Sequence, residues 1–352
     1  MKKLMLTTAI AGLALTASAI AQTSITGEMR VTHKAIGSEV STGSTTTSGR
    51  GFGTEQQINL ANKGKLNVGG LDYAAGFSLE NDGSQSTSLF NENAYIDITN
   101  ASSGTTLSFS IDHIQRNDSD RSAANIFGFA PSEFSSSGHA SLMSATPGPG
   151  VGQSQSIAVI QDIGKFGKLA YNYAPTATDK AATTATGAGS SEAFTETNEK
   201  SAYEISFVGN LGVQGLTVDY FTSKQNAMVG QAVKAEGQNI GVRYNTGALT
   251  LGVARKIWND DATTTKVETT EKNYGIAYAV NNNVTVGLLH ATAENNVASS
   301  PAGTVTQKLT AVQLGYNLGP VALTVGVARN TDLNGVNGQD SDMIMTRLIG
   351  AF

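Results

Sequence analysis

Leu71-Asp72-Tyr73-Ala74-Ala75-Gly76-Phe77-Ser78-Leu79-Glu80 decides the fold. In an extended chain successive side chains point to opposite faces. Leu71, Tyr73, Ala75, Phe77 and Leu79 then share one face, and Asp72, Ala74, Gly76, Ser78 and Glu80 share the other. The division recurs at Leu249, Leu251, Val253 against Thr250, Gly252, Ala254, Lys256, and at Val321, Leu323, Val325, Val327 against Ala322, Thr324, Gly326, Ala328. One face is apolar and the other small or polar, which is the period of a strand and not of a helix.

Sixteen such segments run near 24–32, 55–66, 70–81, 91–101, 104–113, 155–164, 168–177, 201–210, 216–226, 236–247, 249–258, 270–281, 284–295, 305–318, 321–331 and 342–352. The sixth alternates least cleanly. Most reach the roughly 9–11 residues that a tilted strand needs to cross a bilayer. The connections are sorted. After even-numbered segments they are short: Asn67–Gly69, Ser102–Ser103, Lys165–Gly167, Leu211–Gly215, Ala248, Asn282–Asn283 and Gly319–Pro320. After odd-numbered segments they are longer: 33–54, 82–90, 114–154, 178–200, 227–235, 259–269, 296–304 and 332–341. A soluble sandwich has no reason to sort its loops this way. A membrane barrel does, with tight periplasmic turns and long outer loops.

Lipid offers no hydrogen bonds, so every backbone amide at membrane depth must be paired and the sheet must close on itself. The expected fold is therefore all-β, a single sixteen-stranded antiparallel transmembrane barrel whose first strand, around Ile25–Val31, pairs with its last, around Met343–Phe352. A barrel of this size encloses water.

The ends and composition agree. Lys2 and Lys3, an uncharged apolar stretch from Leu4 to Thr16, and Ala19-Ile20-Ala21 form the pattern of a secretory signal peptide over residues 1–21, leaving 22–352 as the barrel. Removing the two lysines takes the formal charge from −5 to −7, which disfavours a nucleic-acid partner. The chain has no cysteine, so thiolate metal sites and thiol nucleophiles are excluded. Its 39 glycines suit many turns.

The whole chain after residue 21 resembles the trimeric general porins of Gram-negative outer membranes. The resemblance rests on the Phe-terminated strand ending Ile344, Thr346, Leu348, Gly350, Phe352. It rests also on the opening strand Ser24-Ile25-Thr26-Gly27-Glu28-Met29-Arg30-Val31, on the long third loop 114–154, and on Pro131-Ser132-Glu133-Phe134, similar to the porin Pro-Glu-Phe-Gly motif with a serine inserted. It implies a homotrimer, a third loop folded into the barrel, and passive diffusion of small hydrophilic solutes and ions without a cofactor.

Strand parity puts Arg30 and Arg347 on the lumen face near mid-height and side by side after closure. Lys63 and Lys65 fall on the same wall nearer the periplasmic end, and Arg243 and Lys256 face inward further round. A charge on the lipid face at mid-membrane costs about 2–4 kcal/mol, so the parity is informative. With the third loop folded in, Asp118, Asp120 and Glu133 are the expected acidic side of a constriction, across the channel from Arg30, Arg347, Lys63 and Arg243.

His33, His113, His139 and His290 have no metal spacing. Asp112-His113 cannot act as a pair, because adjacent strand residues point apart. Asp118-x-Asp120 lacks the continuation of a calcium loop. Two rival readings stand beside the pore: a barrel whose loops serve adhesion, and a hydrolase at the barrel rim.

Overall fold

A computed structural model describes residues 22–40, 49–82, 90–111, 128–135, 141–143, 148–149, 151, 155–175, 201–226, 235–259, 267–297 and 305–352. The strands are β1 (Gln22–Val40), β2 (Gly49–Lys65), β3 (Leu71–Asp82), β4 (Phe90–Asn100), β5 (Thr105–Ile111), β6 (Gln155–Asp162), β7 (Lys168–Ala174) and β8 (Ala202–Gly209). They continue with β9 (Leu216–Gln225), β10 (Glu236–Thr246), β11 (Leu249–Asn259), β12 (Val267–Ala279), β13 (Val284–Val297), β14 (Gln307–Asn317), β15 (Val321–Thr331) and β16 (Asp340–Ala351). Each pairs antiparallel with its sequence neighbours, and β1 pairs with β16, so the sheet is a closed sixteen-stranded barrel.

Closure is completed at the short-turn end. The Gly27 N–H donates to the Phe352 carbonyl and the Phe352 N–H to the Gly27 carbonyl, both at 2.9 Å. The Phe352 ring lies over Gly27, where a Cβ would overlap it. The short turns are where alternation stops: Gly104 and Gly247 take φ of 69° and 67°, the left-handed region glycine enters without strain.

Burial is inverted relative to a soluble protein. Leu251, Val253, Ile276, Leu288, Val312, Leu314, Val327, Ile344 and Leu348 are exposed on the outside, while Ser108, Asn172, Glu204, Ser206, Asn239, Asn273 and Gln313 are buried on the inside. An apolar face is stable in contact with lipid, and a polar face lines a wet lumen.

Two elements run longer than expected. β1 and β2 pair as far as Ile36 with Gly49, so most of the expected loop 33–54 is strand. Arg50 and Thr54 interrupt the outward apolar face there, yet backbone pairing does not depend on which side chains the strand carries. The sixth segment is a regular strand, with Ser156 and Ala158 buried and Ile157 and Val159 exposed.

Candidate pore constriction

The third loop is held inside the barrel. Phe129, Phe134, Leu142 and Met143 are buried against Leu289, Ala291, Leu309, Ala311, Ala328, Met343 and Met345, all on the lumen face of β13–β16. The Phe129 and Phe134 rings meet edge to face, with centroids 5.7 Å apart. Gly326 leaves the room for both, since a Cβ there would press on each ring.

Wall side chains also hold the loop's backbone. Gln313 accepts from the Phe129 N–H at 2.6 Å and returns its side-chain amide to the Phe129 carbonyl at 3.0 Å. Asn330 donates to the Phe134 carbonyl at 2.8 Å, and Lys34 Nζ donates to the Ser135 carbonyl. Gln307 accepts from the Leu142 N–H at 2.8 Å and donates to Ser141 Oγ at 2.9 Å. Further along, Val151 packs with Ala174 and Ala202, and Gly148 lies against Gly237 and Ser223. The loop thus touches the arc β13–β1 and the distant arc β7–β10.

Glu133 sits in a 3-10 turn, Pro131–Glu133. Its Oε2 accepts from the Ala130 N–H at 2.8 Å, which aims its other oxygen at Arg347. Arg347 Nη2 makes an ion pair with Glu133 Oε1. Arg347 Nε donates to Thr32 Oγ1 at 3.1 Å, and the guanidinium lies 4.6 Å over the Phe129 ring. Arg30 is held between Glu28 and Glu55, with Nη1 3.0 Å from Glu55.

These positions revise the expected layout. Arg30 and Arg347 do share one inner wall, but diagonally: Arg347 opposes Thr32 in register, and Arg30 opposes Ile349. Glu133 does not face the arginines across the channel; it contacts Arg347 on the same wall, because the loop docks there. Lys63, opposite Gln22 and Ala74, lies at the short-turn end and away from this cluster. Arg243, opposite Thr217 and Gly252, lies on the far arc. Asp118 and Asp120 are outside the described residues, as are Asp112, His113 and His139. His33 rests on Phe52, and His290 stacks on Tyr274.

Sequence reasoning missed Glu28, Lys34 and Glu55, although Glu28 and Lys34 share the parity of Arg30. It also missed the anchors Gln307, Gln313 and Asn330. Apolar residues at lumen parity, Leu309 and Met343 above all, were the signal for where the loop docks. On the far arc, Lys256 pairs with Glu271 at 3.1 Å, both buried, and Asn273 donates to the same carboxylate at 2.7 Å. No metal-holding cluster of His, Asp or Glu occurs among the described residues.

A sequence model of the Gram-negative porin family matches residues 7–287. The chain belongs to that family. Solved outer-membrane proteins share its architecture. The anion-selective porin of Comamonas acidovorans aligns at 14% identity and TM-score 0.64, over 94% of this chain and all of that one. OmpF of Salmonella typhi, in complex with daunomycin, aligns at 12% identity and TM-score 0.66, over 94% and 97%. OmpT of Vibrio cholerae in its trimer form aligns at 12% identity and TM-score 0.59, over 94% and 99%. Curated protein sequences yield no match. This porin is an outer-membrane channel for passive diffusion, and nothing in the family or its neighbours favours the adhesion scaffold.

Proposed function

We propose that the cluster of Arg30, Arg347 and Glu133 forms one side of the constriction, and that loop 114–154 sets its size. The carrying observation is the docked loop: its backbone is bonded to Gln313, Asn330 and Gln307, and its Glu133 neutralises Arg347. Solutes pass as small hydrophilic molecules and ions, filtered by width and local charge, with no covalent step. Below the Debye length of about 8 Å the wall charges act on a passing ion with little screening. Arg347→Ala removes the cation that neutralises Glu133, and Arg30→Ala removes the cation held between Glu28 and Glu55. Each variant should shift permeation toward cations, and Glu133→Gln toward anions, while the barrel stays folded. Reversal potentials across planar bilayers measure this; values unmoved in all three variants would discard the assignment.

Residues 1–21 are read as the cleaved signal peptide, and the assembled unit as a homotrimer. Support for the trimer comes from the solved Vibrio cholerae trimer and from the small outward residues Val31, Val321, Val325 and Gly350 on β1, β15 and β16.

A further inference from the structure

The loop between β15 and β16 meets the third loop at a single side chain. Its 3-10 turn, Leu333–Gly335, leans back over β14 and β13, and Leu333 is fully buried. The loop is a small closed frame. The Leu333 N–H donates to the Gln339 carbonyl at 2.8 Å, the Gly338 N–H to Asp332 Oδ1 at 2.9 Å, and the Asp332 N–H to Asp340 Oδ1 at 3.2 Å. Asp332 and Asn334 both hold φ of 55°, in the left-handed region, which short polar side chains enter more readily than others.

The frame rests on Gln307, at the start of β14 and itself fully buried. Gln307 Oε1 accepts backbone N–H groups from two loops, Leu142 at 2.8 Å and Asn334 at 3.2 Å. Its Nε2 donates to Ser141 Oγ at 2.9 Å, and that oxygen accepts in turn from the Met143 N–H at 3.1 Å. An amide oxygen carries two lone pairs, so one side chain satisfies both loops at once. Gly335 completes the contact: a Cβ there would lie 3.1 Å from the Val305 carbonyl oxygen and 3.5 Å from Leu142 Cδ1. Each loop therefore shields the other's bond to Gln307. If either lifts, water competes for the same oxygen, and a buried N–H deprived of its acceptor is costly.

We propose that loop 332–340 is a clasp on the third loop, with Gln307 as the positioning residue that carries its hold to the aperture. The proposal rests on the reading that loop 114–154 sets the width. With the clasp shut, segment 141–143 is fastened and the channel is quiet. With the clasp released, the third loop stays docked through Phe129 and Phe134 but loses its hold at 141–143, and the opening fluctuates. Binding or cleavage of loop 332–340 at the outer end of the barrel is thereby transmitted to the constriction.

The test uses the assembled barrel and three variants. Gly335→Val acts on the outer loop, Gln307→Leu removes the shared acceptor at similar volume, and Gln307→Glu keeps an acceptor for both N–H groups. Amide hydrogen exchange, read by mass spectrometry, should speed up at 141–143 by about tenfold or more in Gly335→Val and in Gln307→Leu, and stay slow in Gln307→Glu. The two disruptive changes together should do no more than either alone, because they open the same clasp. Open-channel noise across planar bilayers should rise in the same two variants and return to the wild-type level in Gln307→Glu. Wild-type protection of 141–143 in Gly335→Val, or additive effects in the double variant, would overturn the proposal. If Gly335→Val does not fold, the Gln307 pair decides: exchange must rise at 141–143 and at 334 together in Gln307→Leu, and a rise at one segment alone overturns the clasp. Faster exchange with unchanged noise would uphold the clasp and count against the width reading instead.

Discussion

Gly27 carries no side chain because the ring of Phe352 fills the space above it. Gly27→Val would drive a branched side chain into that ring at the seam where the two strands exchange backbone hydrogen bonds. Overpacking of this kind costs about 1–3 kcal/mol, and here it falls on the seam that closes the sheet. The variant should unfold at a lower temperature in heated-gel mobility assays, and Phe352→Ala in the same background should recover part of the loss. If Gly27→Val melts like the wild type, the ring does not hold the seam. Parity alone located Arg30 and Arg347 on the lumen face, because a charge facing lipid at mid-depth is expensive. Parity could not give Arg347 its partner. That depends on where a loop far away in sequence comes to rest, and strand alternation is silent about it.

At the scale of the element, the third loop behaves as a docked segment. Its hold combines four buried apolar side chains with backbone bonds to Gln313, Asn330 and Gln307. Truncating a buried Phe costs about 3–5 kcal/mol. Spread over a loop rather than a strand, that cost should loosen the docking and leave the sheet paired. Phe129→Ala with Phe134→Ala should therefore raise single-channel conductance and its open-channel noise, with the circular dichroism of the β-sheet unchanged. Conductance equal to wild type would mean that the loop does not set the width. The docking surface was written in the sequence as Leu289, Leu309, Met343 and Met345, apolar residues on a face that should be wet. They break the alternation's logic at the positions where the loop covers them.

For the whole molecule, the strand count, the order and the closing pair were legible in the alternation of side chains and the sorting of the loops. Lipid leaves an antiparallel sheet no other way to satisfy its amides. The underestimate was local: Arg50 and Thr54 lengthen β2 without contributing to its outward apolar face. Assembly is the property that one chain's pattern leaves open. Small residues on β1, β15 and β16 suit close contact between copies, so unheated detergent gels should run at the mass of a trimer and collapse to monomer on boiling. Replacing Val325 with Lys should weaken that band, since a charge buried between copies is poorly solvated. A monomer band in the unheated wild type would refute the trimer.

A tube whose wall is one strand thick deforms most easily by flattening. The docked loop works against that mode. It is fastened to the arc β13–β1 through Gln313, Asn330 and Lys34, and it rests on the arc β7–β10 at Val151 and Gly148. A member attached near both ends of a diameter is a strut. Contacts on both arcs brace the wall at those points, so lateral pressure from the surrounding lipid changes the shape of the aperture less than it would in an unbraced ring.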